Sequence, residues 1–363
     1  MGQGKVMITG ATGFLGSAFL VDILQSGYTA HIVVRSEAKA KTLQQAPAIT
    51  SLDKAAACKY FTVPDLDVPG ALDEATAGTD LVVHCATPLP LGQLEDITTP
   101  TVACTLGALE SARKAGSVKR VVLLSSTAAF APPEVLLGGD HEPSEVFIGE
   151  KPNERFNPPY ATPLIAYCAA KTAAYRSSAE WMENAVQDGV SFDIVSLAPA
   201  YVFGRHPLAT GVTDLIRTSN KVLLQLIMGG QPPQNGPPPP KTLGVGVTLK
   251  DVVQAVHQSL DLTGVKTPES GPSQGFSSYL MANKFALNDV FSLIARKWPE
   301  EVKKGLLTDQ GNWPSKDKVN FIVDGFRETF GFELGGLEEM LDAMVPQYLE
   351  LVKKERAAGE AEA

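Results

Sequence analysis

Tyr167 and Lys171 stand four positions apart in the run Tyr167-Cys168-Ala169-Ala170-Lys171. On a helix, that spacing projects both side chains from one face about one turn apart. An ammonium near a phenol favours the phenolate, lowering a pKa otherwise near ~10 and making tyrosine a usable proton donor or acceptor. The same spacing also occurs on solvated helix faces, so the pair acquires meaning only from the elements that position it.

The first such element is at the start of the chain. Lys5 to Thr9 is a short apolar strand, followed directly by Gly10-Ala11-Thr12-Gly13-Phe14-Leu15-Gly16 and then by a run in which Phe19, Leu20, Ile23 and Leu24 share a helical face. Strand, glycine turn and helix in that order form a dinucleotide site. The first glycine permits the tight turn, the second lets backbone approach a pyrophosphate, and the third lets helix pack closely on strand, with the phosphates at the helix N-terminus.

The next strand, Ala30 to Val34, ends in Arg35, where a NAD-selective protein places an acidic residue for the ribose hydroxyls. Arg35, with Lys39 and Lys41 beyond it, suits a 2′-phosphate, so NADP(H) is expected in preference to NAD(H). Such a charge cluster can also be a solvated helix start. Lys59 to Val63 reads as a third strand leading to Asp65 and Leu66, which would sit beside the adenine.

Leu81 to Ala86 reads as a buried parallel strand, with Thr87 at its carboxyl end facing the cofactor crevice. His84 within it is read as a buried, hydrogen-bonded histidine rather than a general base. A helix from about Thr101 to Ala115 returns to a strand at Arg120 to Leu124, which ends in Ser125-Ser126-Thr127. Residues 131 to 165 read as an irregular insertion rich in Pro, Gly and acid. The Tyr167 helix then runs past Met182 towards Gly189, and a strand at Phe192 to Leu197 closes on Pro199-Ala200-Tyr201-Val202-Phe203-Gly204.

Six strands alternating with helices predict an α/β Rossmann domain, a doubly wound parallel sheet, over residues 1–204. Residues 205–363 read as a smaller, mostly helical substrate lobe that could return a strand, at Phe276 to Met281, and a helix to the sheet. A helix is expected over Val212 to Met228 and another over Asp251 to Leu260. Gln231 to Pro240 reads as a proline-rich surface loop, with a lid over the site as the other reading.

A hydrophobic fraction of 44% over 363 residues is enough for a sizeable core, and the net charge of −9 argues against a general nucleic-acid binder. No apolar run reaches the length of a membrane span. Cys58, Cys85, Cys104 and Cys168 show neither close pairing nor metal-ligand spacing, which points to a reduced, cytoplasmic setting without a metal site. A monomer or homodimer is expected.

Taken together, Thr9-Gly10-x-x-Gly13-Phe14-x-Gly16, the Ser125-Ser126 strand end, Tyr167-x-x-x-Lys171 and Pro199 to Gly204 resemble the extended short-chain dehydrogenases/reductases of the NAD-dependent epimerase/dehydratase superfamily. Asp65-Leu66-Asp67-x-Pro69-Gly70-x-Leu72-Asp73-Glu74-Ala75 is similar to the branch holding dihydroflavonol reductase, cinnamoyl-CoA reductase and fungal carbonyl or methylglyoxal reductases. The resemblance implies a reductase of small aldehydes or ketones, running reversibly as an alcohol oxidation. Tyr167 would be the general acid. Lys171 would bind the nicotinamide ribose hydroxyls and depress the tyrosine's pKa, and Ser126 would hydrogen-bond the substrate carbonyl.

Ser126 is preferred to Ser125 because the family's serine closes the serine run, seven residues after the position of Lys119. Strand alternation also turns the two serines to opposite faces. The backbone of Gly13, Phe14 and Leu15 would cradle the pyrophosphate, and the resemblance extends the cofactor contacts to Gly10, Thr12, Gly16, Ala86, Thr87, Pro199 and Val202.

Two departures stand out. Relatives often carry Asn-Val-x-Gly-Thr where this chain has Thr101-Val102-Ala103-Cys104-Thr105, which leaves an asparagine-held water relay without its usual residue here. The usual Asp-Glu-x-x-Trp-Asn before the tyrosine appears only as Asn153-Glu154-Arg155-Phe156-Asn157, so the relatives' substrates do not carry over. A NAD-holding sugar-nucleotide epimerase or dehydratase shares the glycine turn and the Tyr/Lys pair, but Arg35 argues against its cofactor. A non-catalytic NADP-sensing regulator on this fold would commonly have lost the tyrosine.

Overall fold

The computed structural model describes residues 4–87, 97–136, 146–148, 151–228, 244–263, 265, 275–311 and 320–362. The first half alternates as the βα rhythm predicts: β1 (Lys5–Thr9), α1 (Phe14–Gln25), β2 (Thr29–Val34), α2 (Glu37–Gln45), the single turn α3 (Pro47–Thr50), β3 (Lys59–Thr62), the turn α4 (Asp73–Thr76), β4 (Leu81–His84), α5 (Thr98–Ala115) and β5 (Arg120–Leu124). Within 131–165 lie α6 (Pro133–Leu136) and β6 (Val146–Ile148), and then come α7 (Pro163–Gln187), β7 (Asp193–Pro199) and β8 (Tyr201–Phe203).

The later half carries α8 (Val212–Ile216), α9 (Lys221–Ile227), β9 (Val245–Thr248), α10 (Leu249–Leu260), β10 (Phe276–Met281), β11 (Asn283–Lys284), α11 (Asp289–Lys297), α12 (Pro299–Lys303), β12 (Asn320–Ile322), α13 (Asp324–Phe330) and α14 (Leu337–Glu362).

Seven strands form the main sheet in the order β10-β7-β5-β4-β1-β2-β3, all of them parallel. Its central strands have apolar middles because helices cover both faces, and Val82, Val83, Val121 and Val122 are fully buried. β10 joins the edge beside β7, with Phe276 opposite Ile194, so the second half of the chain completes the sheet. α10 packs against α1, β5 and β7 from the same half. A separate core of Leu223, Leu224, Ile227, Val290, Met340 and Leu341 holds the smaller lobe together.

Three expectations are corrected. The helix read from Thr101 begins one turn earlier, at Thr98. Residues 131–165 are not wholly irregular: β6 pairs in parallel with β12, and residues from Pro163 onward already belong to α7. The single helix expected over Val212 to Met228 is two. Between them the Ser219 hydroxyl donates to the Val202 carbonyl, and the Asn220 amide pairs with both backbone groups of Gly204. Short polar side chains that bond distant backbone compete with helix continuation. Residues 231–240 lie outside the described residues.

Candidate active site

Gly10 follows β1 at φ +74°, a conformation open mainly to glycine, and a Cβ there would also come within 2.9 Å of the Ala86 amide nitrogen. A Cβ on Gly16 would lie 2.2 Å from the Gly10 carbonyl oxygen, so α1 packs against the turn only because residue 16 is glycine. Gly13 is different: it is exposed, and its nearest obstacle is the Gly10 carbonyl at 3.4 Å. α1 starts at Phe14 with Gly13 as a cap that lacks a side chain and with no acidic residue in its first turn. Its positive end and first N–H groups are thus left for an anion, as a pyrophosphate requires. Thr12 and Leu15 flank this turn, each partly exposed.

β1 and β4 are joined below the turn by side chains. The Ala86 N–H donates to Thr9 Oγ1, 3.2 Å away, and Thr9 Oγ1 lies 3.0 Å from His84 Nδ1. Having accepted from Ala86, the Thr9 hydroxyl can donate to Nδ1, which leaves the His84 proton on Nε2, 3.7 Å from Cys104 Sγ. Burial, with the Lys171 charge adding to it, pushes His84 down to about 4. It is a neutral structural histidine.

A cavity of about 240 Å³ opens at the carboxyl ends of β2, β3 and β4, lined among others by Arg35, Asp65, Leu66, Asp67, Ala86 and Thr87. The structure thus gathers five of the residues read from the sequence as cofactor contacts. Lys39 does not line this cavity; it is exposed in the first turn of α2, where its N–H caps on Ser36. Asp67, Pro64, Pro100 and Cys104 were not singled out as contacts, although the helical period of α5 places Cys104 on the same face as Thr101. Pro199 ends β7 at the same sheet edge, whereas the Val202 side chain is only 3% exposed and packs in the core.

Ser126 follows β5 in extended conformation, and its Oγ accepts from the Ala128 N–H at 3.2 Å. The same hydroxyl acts on the Tyr167 phenol, drawing its pKa down. Ser125 faces the other way: its hydroxyl is buried without a partner among the described residues and borders a small cavity of about 30 Å³ shared with Lys171, Thr105 and Ser178. α7 presents Tyr167 and Lys171 because Pro163 opens it and the Thr162 hydroxyl caps it by accepting from the Ile165 N–H.

The Lys171 ammonium donates to Thr87 Oγ1 and to the Leu124 carbonyl, each at 2.9 Å. Burial pushes it down to about 8. The expected lowering of the tyrosine by this lysine is not what the structure gives. Burial pushes the Tyr167 phenol up to about 12, and the group acting to lower it is Ser126. At neutral pH Tyr167 is a protonated phenol influenced by a serine hydroxyl, an arrangement that can donate a proton to a developing alkoxide. Among the described residues no cluster of His, Cys, Asp and Glu could hold a metal, and no helix is long and apolar enough to cross a membrane.

Residues 6–233 match the model of the NAD dependent epimerase/dehydratase family. The chain is 32% identical to the ketoreductase CTB6 of Cercospora beticola, with 98% of each chain covered, and 30% identical to the NAD-dependent epimerase/dehydratase ALT6 of Alternaria alternata, over 95% of this chain and 98% of that one. Among solved structures, Gre2 of Candida albicans in complex with NADPH superposes with a TM-score of 0.76 at 20% identity, covering 96% of this chain and 99% of that one. Yeast methylglyoxal/isovaleraldehyde reductase Gre2, also complexed with NADPH, gives 0.75 at 24% identity, with 96% and 99% covered. These likenesses match the seven-stranded Rossmann sheet described above.

Proposed function

Because the chain belongs to the NAD-dependent epimerase/dehydratase family, with its nicotinamide dinucleotide cofactor, we propose that it is an NADPH-dependent reductase of small aldehydes or ketones. The observation that carries this reading is the meeting of Ser126 and Tyr167, one helical turn from a buried lysine, at the sheet edge that also bears the glycine turn. The cofactor reading has independent support in the uncapped start of α1, the crowding at Gly10 and Gly16, and the Arg35 cavity.

Gly13, Phe14 and Leu15 would hold the pyrophosphate, Arg35 a 2′-phosphate, Asp65 and Leu66 the adenine side, and Lys171 with Thr87 the nicotinamide ribose. When bound, a reduced nicotinamide supplies hydride to a carbonyl carbon. Tyr167 then gives its phenolic proton to the carbonyl oxygen as negative charge grows there, and Ser126 donates a hydrogen bond to the same oxygen. A tyrosine held up near 12 is protonated throughout the neutral range, which favours the reducing direction. The ketoreductase relatives support this direction.

A panel of aldehydes, α-dicarbonyls and aryl ketones, followed by loss of NADPH absorbance, tests the reading. Turnover of at least one class is expected, and Tyr167→Phe should slow it by about 10²- to 10⁴-fold while leaving NADPH binding intact. Full activity in that variant would remove Tyr167 from the mechanism. The relative named an epimerase/dehydratase keeps a second reading open, and selective binding of NADH with no carbonyl turnover would favour it.

A further inference from the structure

The segment that leaves β8, residues 204–208, is gripped from the smaller lobe by two carboxamides. Asn220, fully buried, accepts from the Gly204 N–H at 3.0 Å and donates to the Gly204 carbonyl at 2.9 Å. Gln347 of α14, 4% exposed, accepts from the His206 N–H at 2.7 Å and donates to the His206 carbonyl at 2.8 Å. Each amide side chain satisfies both backbone groups of one residue, as a neighbouring strand would. Between these two grips, Arg205 pairs with Glu350 at the surface. The backbone of the segment is therefore fixed by side chains of the smaller lobe.

What this segment carries is the His206 ring. The Leu208 N–H donates to His206 Nδ1 at 3.2 Å, so the ring is a neutral imidazole with its proton on Nε2. Its centre lies 5.4 Å from that of Phe14, with the rings tilted by 53°, within the range of favourable aromatic packing. Phe14 is the first residue of α1, at the end of the glycine turn, and its backbone N–H is one of those left free there. Gln347, although 141 positions from His206, thus reaches the glycine turn through one backbone and one ring contact.

We infer that His206 is a positioning residue for the cofactor's phosphates: held by Gln347, its ring fixes Phe14 and with it the N–H groups at the start of α1. The inference rests on the cofactor reading above. A change at His206 or Gln347 should therefore weaken the hold on the pyrophosphate while sparing the adenosine end, which the Arg35 cavity grips separately.

The test is paired titration of NADPH and of adenosine 2′-monophosphate, which lacks the pyrophosphate. In His206→Ala the NADPH dissociation constant should rise about tenfold, with adenosine 2′-monophosphate binding as in the unaltered protein. His206→Phe, which keeps a ring against Phe14, should recover most of the lost affinity. His206→Asn, which keeps an acceptor for the Leu208 N–H but has no ring, should not. Gln347→Met should weaken NADPH in the same selective way, and if it fails to fold, the three His206 variants decide alone.

Unchanged NADPH affinity in His206→Ala, equal losses for both ligands, or equal recovery by Phe and Asn would each overturn the inference. A protein that binds NADH and not NADPH would overturn the cofactor preference alone, and the comparison would then be made with NADH and adenosine. A protein that binds neither nucleotide would defeat both readings.

Discussion

The Lys171 ammonium lies 5.9 Å from the centre of the Tyr167 ring, yet its hydrogen bonds run to the Thr87 hydroxyl and the Leu124 carbonyl. One helical turn brings the two residues together, and the ends of β4 and β5 then decide which way the amine points. The side chain that acts on the phenol is instead Ser126. On the proposed reading the work is divided: Tyr167 and Ser126 would serve the substrate oxygen, while Lys171 is anchored to the strand ends that border the cofactor crevice.

That division gives the lysine its own pH signature. Its folded pKa is lowered from 10.5 to about 8 by burial, so the ammonium is lost as pH rises through about 8. If Lys171 holds the ribose, NADPH affinity should decline above about pH 8, and the decline should be absent in Lys171→Met, whose affinity is low and flat from neutral pH upward. A decline persisting at the same pH in Lys171→Met would assign it to another group. Stability moves the other way. Between about 8 and 10.5 the unfolded chain binds the proton more tightly than the folded one, so the folded state gains stability as pH rises through that window. Thermal midpoints of the unaltered protein, measured relative to Lys171→Met, should rise across it.

Arg120 offers a test of the frame rather than the chemistry. Its guanidinium, 3% exposed, forms a two-pronged pair with Asp193 at 2.6 and 2.7 Å, joining the starts of β5 and β7. It also donates to the carbonyls of Ser259, Asp261 and Val265, closing the end of α10 onto the sheet. Removing one partner of a buried pair leaves the other uncompensated, so Arg120→Met should cost about 3–5 kcal/mol in denaturant unfolding. Replacing Asp193 by Leu in the same chain should recover part of that loss. A cost below about 1 kcal/mol would show that the pair adds little beyond an exposed one.

Which parts of this arrangement could be read in the sequence follows from how local their causes are. The turn from Gly10 to Gly16 is dictated within seven residues, and the apolar runs at Leu81 and Arg120 announce buried strands by themselves. The break between α8 and α9 could not be read that way, because Ser219 and Asn220 bond backbone 17 and 16 positions back. The direction of the Tyr167 shift also escaped, since spacing along a helix shows the lysine but not how deeply the phenol is enclosed. His206 and Gln347 are farther still from any local signal.

Gly13 and Gly16 separate fold from cofactor within one motif. A methyl on Gly16 would sit 2.2 Å from the Gly10 carbonyl, backbone that cannot swing aside, so Gly16→Ala should disturb the packing of α1 on β1 and lower both stability and nucleotide binding. A methyl on Gly13 meets only that carbonyl at 3.4 Å, in a residue whose φ of −89° suits alanine. Gly13→Ala should therefore fold with a midpoint near that of the unaltered protein. Its added methyl would occupy space where a pyrophosphate must approach the backbone, so NADPH affinity should fall by about tenfold or more. Thermal unfolding and NADPH titration on both variants check the contrast. Wild-type affinity in Gly13→Ala would mean that the phosphates lie elsewhere than over this turn.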